Sequence, residues 1–383
     1  MTLNYLMPTR LLMGENCLFE QRLFLVQLGK KACIVTGKHS AKANGAYDDV
    51  VETLKANGQG HVLYDGVMNN PTDTCVFEAG KLAKAEGCDF MLAIGGGSPM
   101  DAAKAAAVLA VNDISKEEMF NLQFTTALPI AAVPTTAGTG SEVTQYSVLV
   151  DTTGPDGKTS RPGGPVKRSM GSPLLFPRCA FLDARYMKNL SRNITVHTAL
   201  DALSHAVEGF LCLRANGISD MLAKESMALM GDCFEPLLTF PGNPSEVPPE
   251  IREKLLLAST LAGMAISQSG TAVPHSMGYH FTLNWGTDHG RANGLLMKPF
   301  LTLCLNRERA DSSITPRIPA LVKALGMDLE RFFDIIEQLL GTRERAAEAE
   351  LAEWGARPMK NAANTYIQPT QAEIGALFRA AVG

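Results

Sequence analysis

"DFMLAIGGGSPMDAAKAAAVLAV" occupies residues 89–111. An apolar run ends at Ile94, three glycines follow, and a Ser-Pro pair opens an alanine-rich run of helical period. The stretch therefore predicts a buried strand, a tight turn and a helix, with Ser98 as N-cap and Pro99 at the first helical position. Gly95, Gly96 and Gly97 let the backbone turn sharply and approach a ligand closely. A strand feeding a helix N-terminus is a natural phosphate site, because unpaired N–H groups and the helix dipole both point at it. The spacing is not GxGxxG, so the usual dinucleotide fingerprint is absent. A capped βα turn without a ligand accounts for the residues as well.

The same rhythm extends in both directions. "KACIVTG" (31–37), "HVLYDG" (61–66) and "LPIAAVPTT" (128–136) read as strands, while "AYDDVVETLKANG" (46–58) and "TCVFEAGKLAKAEG" (74–87) read as helices closed by glycine. Alternating strands and helices predict an α/β fold, a Rossmann-like parallel sheet with helices on both faces. After about residue 185 the character changes. "TALDALSHAVEGFLCL", "EIREKLLLASTLAGMAIS", "ANGLLMKPFLTLCLN" and "LERFFDIIEQLL" carry helical periodicity, and β-rich runs disappear. Two domains follow, an α/β domain over 1–185 and an all-helical one over 186–383, with "GPDGKTSRPGGP" (154–165) as an excursion within the first.

Composition narrows the classes. The chain has 383 residues, 46% of them apolar and 19% charged, with a net charge of −4, so nucleic acid has no electrostatic footprint here. No apolar stretch reaches a membrane span, and the N-terminus has no apolar signal region. The eight cysteines are scattered without a CxxC pair, which fits buried thiols in a cytoplasmic, reducing compartment.

Two groups of residues suggest chemistry. "VPTTAGTGSE" (133–142) follows a strand and alternates hydroxyls with bare backbone, suiting a polar ligand at the carboxyl ends of parallel strands; local side-chain-to-backbone bonds are the plain alternative. In "TALDALSHAVEGF" (198–210), Asp201 and His205 stand four apart and share a helix face, with Glu208 continuing it. A carboxylate and an imidazole, joined by histidines from "VPHSMGYHFTLNWGTDHGRANG" (273–294), would suit Fe(II) or Zn(II). A Thr198–Asp201 capping box with a core histidine explains the pair equally well.

"GGGSPMDAAK", "PTTAGTGSE", "DALSHAVE" and "DHGRANGLL", in this order, resemble the iron-containing (group III) alcohol dehydrogenases over nearly the whole chain. The resemblance implies a dinucleotide-binding domain, a helical domain and an active site between them. It implies one divalent metal, Fe2+ favoured and Zn2+ possible, on Asp201, His205, His275 and His289. It implies a nicotinamide cofactor with Gly96, Gly97, Ser98 and Asp101 at the pyrophosphate, Thr135, Thr136, Thr139 and Thr144 along the nicotinamide half, Asn70 by the adenosine and Lys167 by the nicotinamide ribose. Members often carry a second histidine four residues after the third ligand; here Tyr279 holds that position and His280 follows, so either is the candidate for proton relay. NAD-preferring members often carry an Asp after the first strand. Here Gly37 replaces it, and Lys38, His39, Ser40 and Lys42 follow, which favours NADP(H) over NAD(H).

The expected reaction is hydride transfer between a primary alcohol, or its aldehyde, and the nicotinamide, by a homodimer or higher homo-oligomer. A dehydroquinate synthase-like lyase on the same fold is the alternative, disfavoured because 275–291 supplies only Arg291 to a charged substrate. Phe281 and Trp285 suggest an apolar lining, although aromatics beside a histidine more often belong to a core.

Overall fold

A computed structural model describes residues 4–154, 159–161, 163–240 and 247–382, and the chain divides into two compact units. The first comprises Met7–Thr136 and Gly140–Leu190; the second comprises Met1–Leu6, Ala137–Thr139 and Ser191–Gly383.

The first unit runs β1 (Arg10–Met13), α1 (Cys17–Glu20), α2 (Leu23–Val26), β2 (Lys31–Gly37), α3 (Ser40–Ala43), α4 (Ala46–Ala56), β3 (Gly60–Val67), α5 (Asp73–Ala85), β4 (Phe90–Gly95), α6 (Gly97–Leu109), α7 (Lys116–Phe120), β5 (Ile130–Pro134), β6 (Tyr146–Asp151), β7 (Val166–Gly171) and β8 (Cys179–Leu182). Six strands form one parallel sheet in the order β1-β8-β5-β4-β2-β3, as the alternating sequence pattern predicts. Both faces are covered. Ala32, Ile34, Leu92, Ile94 and Phe181 pack under Leu18, Leu25, Val50 and Leu54, while the alternate residues Cys33, Val35, Met91 and Ala93 are also fully buried, where α5 and α6 contact the strands. Burial on two faces is why β4 and β5 read as continuous apolar runs without alternation.

The turn after β4 differs in detail from the sequence expectation. Gly96, in extended conformation, is the N-cap of α6, so Ser98 and Pro99 fall inside the first turn. The Ser98 hydroxyl accepts instead from the Asn70 backbone N–H at 3.3 Å. Gly95 takes φ +146°, and a Cβ there would lie 2.6 Å from Pro99, so only glycine makes this turn. A separate antiparallel pair, β6 and β7, joins this unit. Part of the Pro/Gly-rich excursion, 155–158 and 162, lies outside the described residues.

The first unit extends past Arg185 to Leu190 because the turn Ala184–Met187 is anchored on it: Tyr186 donates to Asp49 at 2.9 Å and its carbonyl accepts from Asn44 at 2.9 Å. The second unit is helical: α8 (Arg192–Phe210), α9 (Gly217–Thr239), α10 (Pro249–Ser269), α11 (Val273–Trp285), α12 (His289–Ala310), α13 (Ile318–Leu325), α14 (Leu329–Leu340), α15 (Glu348–Ala356) and α16 (Gln371–Ala381). Helix α8 is its axis, packed by α9, α10 and α12, and every residue from Ala199 to Phe210 is buried. All eight cysteines are free and buried, and burial drives the thiols of Cys17, Cys33, Cys179 and Cys233 up to about 12. Among the described residues, no helix is long and apolar enough to cross a membrane.

Candidate metal and cofactor sites

In the helical unit, the reading of Thr198–Asp201 as a helix cap is overturned. Ser191 caps α8, its hydroxyl accepting from Ile194 N–H, so Asp201 lies well inside the helix. Thr198 merely back-bonds to the carbonyls of Ile194 and Thr195. A carboxylate buried in a helix interior needs partners from elsewhere. Asn293 on α12 supplies one, donating to Asp201 Oδ1 at 3.0 Å.

One ligand-type atom from each of Asp201, His205 and His275 lies within 4.8 Å of the others, and all three residues are buried. His289, at the start of α12, adds Nε2 at 3.2 Å from His275 Nε2 and 3.8 Å from Asp201 Oδ1. Its approach depends on Gly290, where a Cβ would lie 1.7 Å from the His197 carbonyl oxygen. His205 Nδ1 lies 3.2 Å from the Gly138 carbonyl, which can only accept, so Nδ1 carries the proton and Nε2 a lone pair. His275 Nδ1 lies 3.0 Å from Glu208 Oε1. Burial, aided by the neighbouring His275, pushes the His205 imidazolium below its ordinary range against the pull of Asp201, favouring the neutral form that ligates. One carboxylate and three imidazoles fit a divalent Fe or Zn ion.

The two residues expected near a proton path separate. The Tyr279 ring stacks on His289 at 5.4 Å and meets His275 edge-on at 6.5 Å. His280 faces away, packing on Trp354 at 5.5 Å and Phe378 at 5.7 Å. Consecutive helical residues point about 100° apart, so only one of the two can face the histidines. Burial, then the Arg357 charge, lowers the His280 imidazole to about 4. Phe281 and Trp285 join the same aromatic cluster with Trp354, so they are core and not an apolar lining.

In the first unit, the strand order reverses between β2 and β4, and ligands of such sheets bind at the carboxyl ends there. Register brings Thr36 of β2 beside Ile94, and Gly95 beside Pro134 of β5. The carboxyl ends of three adjacent strands thus carry Gly37, Gly95–Gly97 and Thr135–Thr136. Lys38 and Ser40 follow Gly37, with Ser40 opening α3. Asn70, in left-handed conformation at φ +58°, meets Ser98. Lys42 pairs with Asp65 at 2.7 Å.

Asp101 and Thr144 turn inward. Asp101 accepts from Ser141 Oγ at 2.7 Å and from Val148 N–H at 3.0 Å, so both carboxylate oxygens are engaged by the protein. Thr144 Oγ1 accepts from Lys104 Nζ at 3.2 Å. Lys104 is fully buried and also donates to the Ser141 carbonyl, Ser141 Oγ and the Tyr146 carbonyl. Its ammonium is lowered to about 8 by burial, against the charges of Asp101 and Glu142. Lys167, on β7, adds a cation near Asp101. Thr139 falls with Ala137 and Gly138 in the helical unit. Lys104, Asn293 and the exact service of Glu208 were not legible beforehand; a lysine in an alanine-rich helix and an asparagine one turn past a histidine were the available signals.

Residues 8–184 match iron-containing alcohol dehydrogenases, and residues 195–382 match the C-terminal part of the same family. Alcohol dehydrogenase 4 of Schizosaccharomyces pombe is 29% identical over 99% of this chain and 89% of its own. Among solved structures, an iron-containing alcohol dehydrogenase of Thermotoga maritima is 35% identical, with a TM-score of 0.85 and both chains covered in full. A sulfoacetaldehyde reductase of Bifidobacterium kashiwanohense, solved with NAD+, is 26% identical with a TM-score of 0.82 over 99% of this chain and 98% of that one. None of these relatives is a dehydroquinate synthase.

Proposed function

Because the chain belongs to the iron-containing alcohol dehydrogenase family, and so is a metal-dependent oxidoreductase passing hydride between an alcohol or aldehyde and a nicotinamide, we propose that Asp201, His205, His275 and His289 hold its metal. The observation that carries this is the convergence of these four side chains from three helices, with the Nδ1 atoms of His205 and His275 engaged elsewhere. Fe2+ is favoured and Zn2+ is accepted by the same donors. When bound, the metal polarises the substrate oxygen and the nicotinamide gives or takes the hydride. The chain's residues do the rest. Tyr279, beside His289, holds the phenol that exchanges the hydroxyl proton, and His280 takes no part.

Residues 1–185 form the cofactor domain and 186–383 the metal and substrate domain. Gly96, Gly97 and Ser98 receive the pyrophosphate at the N-terminus of α6, where first-turn N–H groups lack helical partners by position. Asn70 lies toward the adenosine, and Thr135, Thr136 and Thr139 toward the nicotinamide, with Lys167 at its ribose. Asp101 and Thr144 act by shaping this loop through Lys104. NADP(H) is preferred to NAD(H), since Gly37 offers no carboxylate and Lys38 and Ser40 can meet a 2′-phosphate; Asp65 offsets part of this by pairing with Lys42. The substrate is a small primary alcohol or its aldehyde. The buried free thiols support a cytoplasmic location, and β1, an edge strand, supports a homodimer or higher homo-oligomer.

The test is His275→Ala and His289→Ala. Each is expected to lose bound metal and to reduce turnover at least about 100-fold, and retained metal with unchanged turnover in both refutes the site. A higher kcat/KM with NAD than with NADP refutes the cofactor preference.

A further inference from the structure

Glu208 is a fully buried carboxylate on α8, one turn beyond His205. Three hydrogen-bond donors and one imidazole nitrogen converge on it. Oε1 accepts from Ser204 Oγ and lies 3.0 Å from His275 Nδ1. Oε2 accepts from the backbone N–H of Ala272 at 3.0 Å and of His275 at 3.2 Å. These two amides are the N-cap and third residue of α11, whose N-cap Ala272 has no side chain able to cap it. An ionised carboxylate can only accept, so the imidazole nitrogen beside it is the donor. His275 must therefore carry its proton on Nδ1, which leaves the Nε2 lone pair toward His289 and the other ligands.

From this we infer that Glu208 is the positioning residue of the metal centre: one carboxylate caps α11 and fixes the tautomer of His275, so that the helix start and the ligand are set together. The inference rests on the proposed four-residue metal site and adds to it a reason why His275 presents Nε2. A helix cap alone explains only the Oε2 bonds; the Oε1 bond to the imidazole has no capping purpose. Anionic charge near the first turn also favours the helix dipole, so the two services reinforce each other.

The chemistry of substitution follows from the donor count. Glutamine offers one accepting oxygen and an NH2 group. With the NH2 at the Oε1 position, His275 Nδ1 must become an acceptor and the proton moves to Nε2, which blocks ligation. With the NH2 at the Oε2 position, it meets two backbone N–H donors and α11 loses its cap. Either placement weakens the site without changing side-chain volume.

The experiment uses full-length apoprotein, prepared by chelation, with Zn(II) as probe. Zinc affinity is measured by chelator competition for wild type and Glu208→Gln, and the His275 tautomer is read by 15N NMR of histidine-labelled protein. Expected are an Nδ1-protonated His275 in the wild type and, in the folded variant, zinc binding weakened about 10–100-fold with a mixed or Nε2-protonated tautomer. Zinc affinity within twofold of wild type and an unchanged tautomer in the variant overturn the inference while leaving the metal site standing. If Glu208→Gln does not fold, the wild-type spectrum decides alone, and an Nε2-protonated His275 overturns the inference. Wild-type protein that binds no zinc through His205 and His275 instead refutes the underlying site, a separate outcome.

Discussion

Asn293 on α12 donates its side-chain amide to Asp201 Oδ1 on α8 at 3.0 Å. It stands four residues after His289, on the same helix face, so α12 brings one candidate ligand and steadies another. Asn293→Ala leaves the buried Asp201 short of a donor. Zinc affinity of the apoprotein is expected to fall roughly 10-fold. Asn293→Asp sets a second carboxylate against Asp201, and like charges at that distance should alter binding differently from the alanine change. Chelator competition reads both, and affinities equal to wild type in both variants would falsify the tether.

Gly290→Ala drives a Cβ to 1.7 Å from the His197 carbonyl oxygen and 2.9 Å from Asp201 Cβ. Neither backbone can yield cheaply inside packed helices. A stability loss of about 3 kcal/mol or more is expected, with loss of bound metal because His289 moves with the turn. The control is Gly217→Ala, where nothing lies within 4 Å of the new Cβ; its change should stay within about 0.5 kcal/mol. Urea unfolding of the two variants, compared with wild type, measures the contrast.

Lys104 connects helix α6 to the hydroxyl loop through four acceptors. Lys104→Met removes their donor in a buried setting and should cost about 1–3 kcal/mol, raising the KM for cofactor while leaving zinc affinity unchanged. The pH dependence has a definite sign. The folded ammonium titrates at about 8, below its ordinary value of 10.5, so the unfolded chain binds the proton more tightly between those values. The destabilising burial of charge is present in full below pH 8 and is relieved as pH rises toward 10.5. Denaturation midpoints at pH 7.5 and 9.5, differenced against Lys104→Met, test this; a difference that falls with pH contradicts it.

His280 gives the acid counterpart. Its folded value of about 4 lies below the ordinary 6.5, chiefly from burial and then from Arg357, with Glu353 opposing. Stability is untouched above pH 6.5, where both states are neutral, and is lost as pH falls from 6.5 to 4. His280→Phe, placed among Trp354 and Phe378, should flatten that loss without altering turnover at pH 8. Thermal melts from pH 7 to pH 5 report the slope, and turnover reports whether His280 is indeed outside the chemistry.

Much of the fold was legible because its strands and helices are long enough to show period. β2, β3, β4 and β5 announced themselves as apolar runs bounded by glycine or polar residues. β1 and β8 did not, since four residues such as "RLLM" and "CAFL" are too short for any period to emerge. The β6–β7 pair was hidden for a different reason: antiparallel partners far apart in sequence carry no local turn signal joining them. In the site, Asp201 and His205 were readable because i, i+4 spacing is geometric. The role of Thr198 stayed open because a Thr-x-x-Asp pattern fits a cap equally well, and only the earlier cap at Ser191 decides. Glu208 shares the ligand face by its spacing, but its contact with His275 spans 67 residues of sequence, and those of Asn293 and Lys104 span 92 and 37, which no local pattern encodes.

The concealed cysteines acquire a meaning from the reaction itself. Aldehydes are electrophiles, and thiolates add to them readily. A protein that spends its life handling such molecules does so here with eight free thiols, all buried, four of them held protonated up to about pH 12. The thiols of the folded enzyme are therefore shielded from its own substrate. Addition of aldehyde to these thiols should begin only when the fold opens, so thiol loss in concentrated aldehyde should track unfolding.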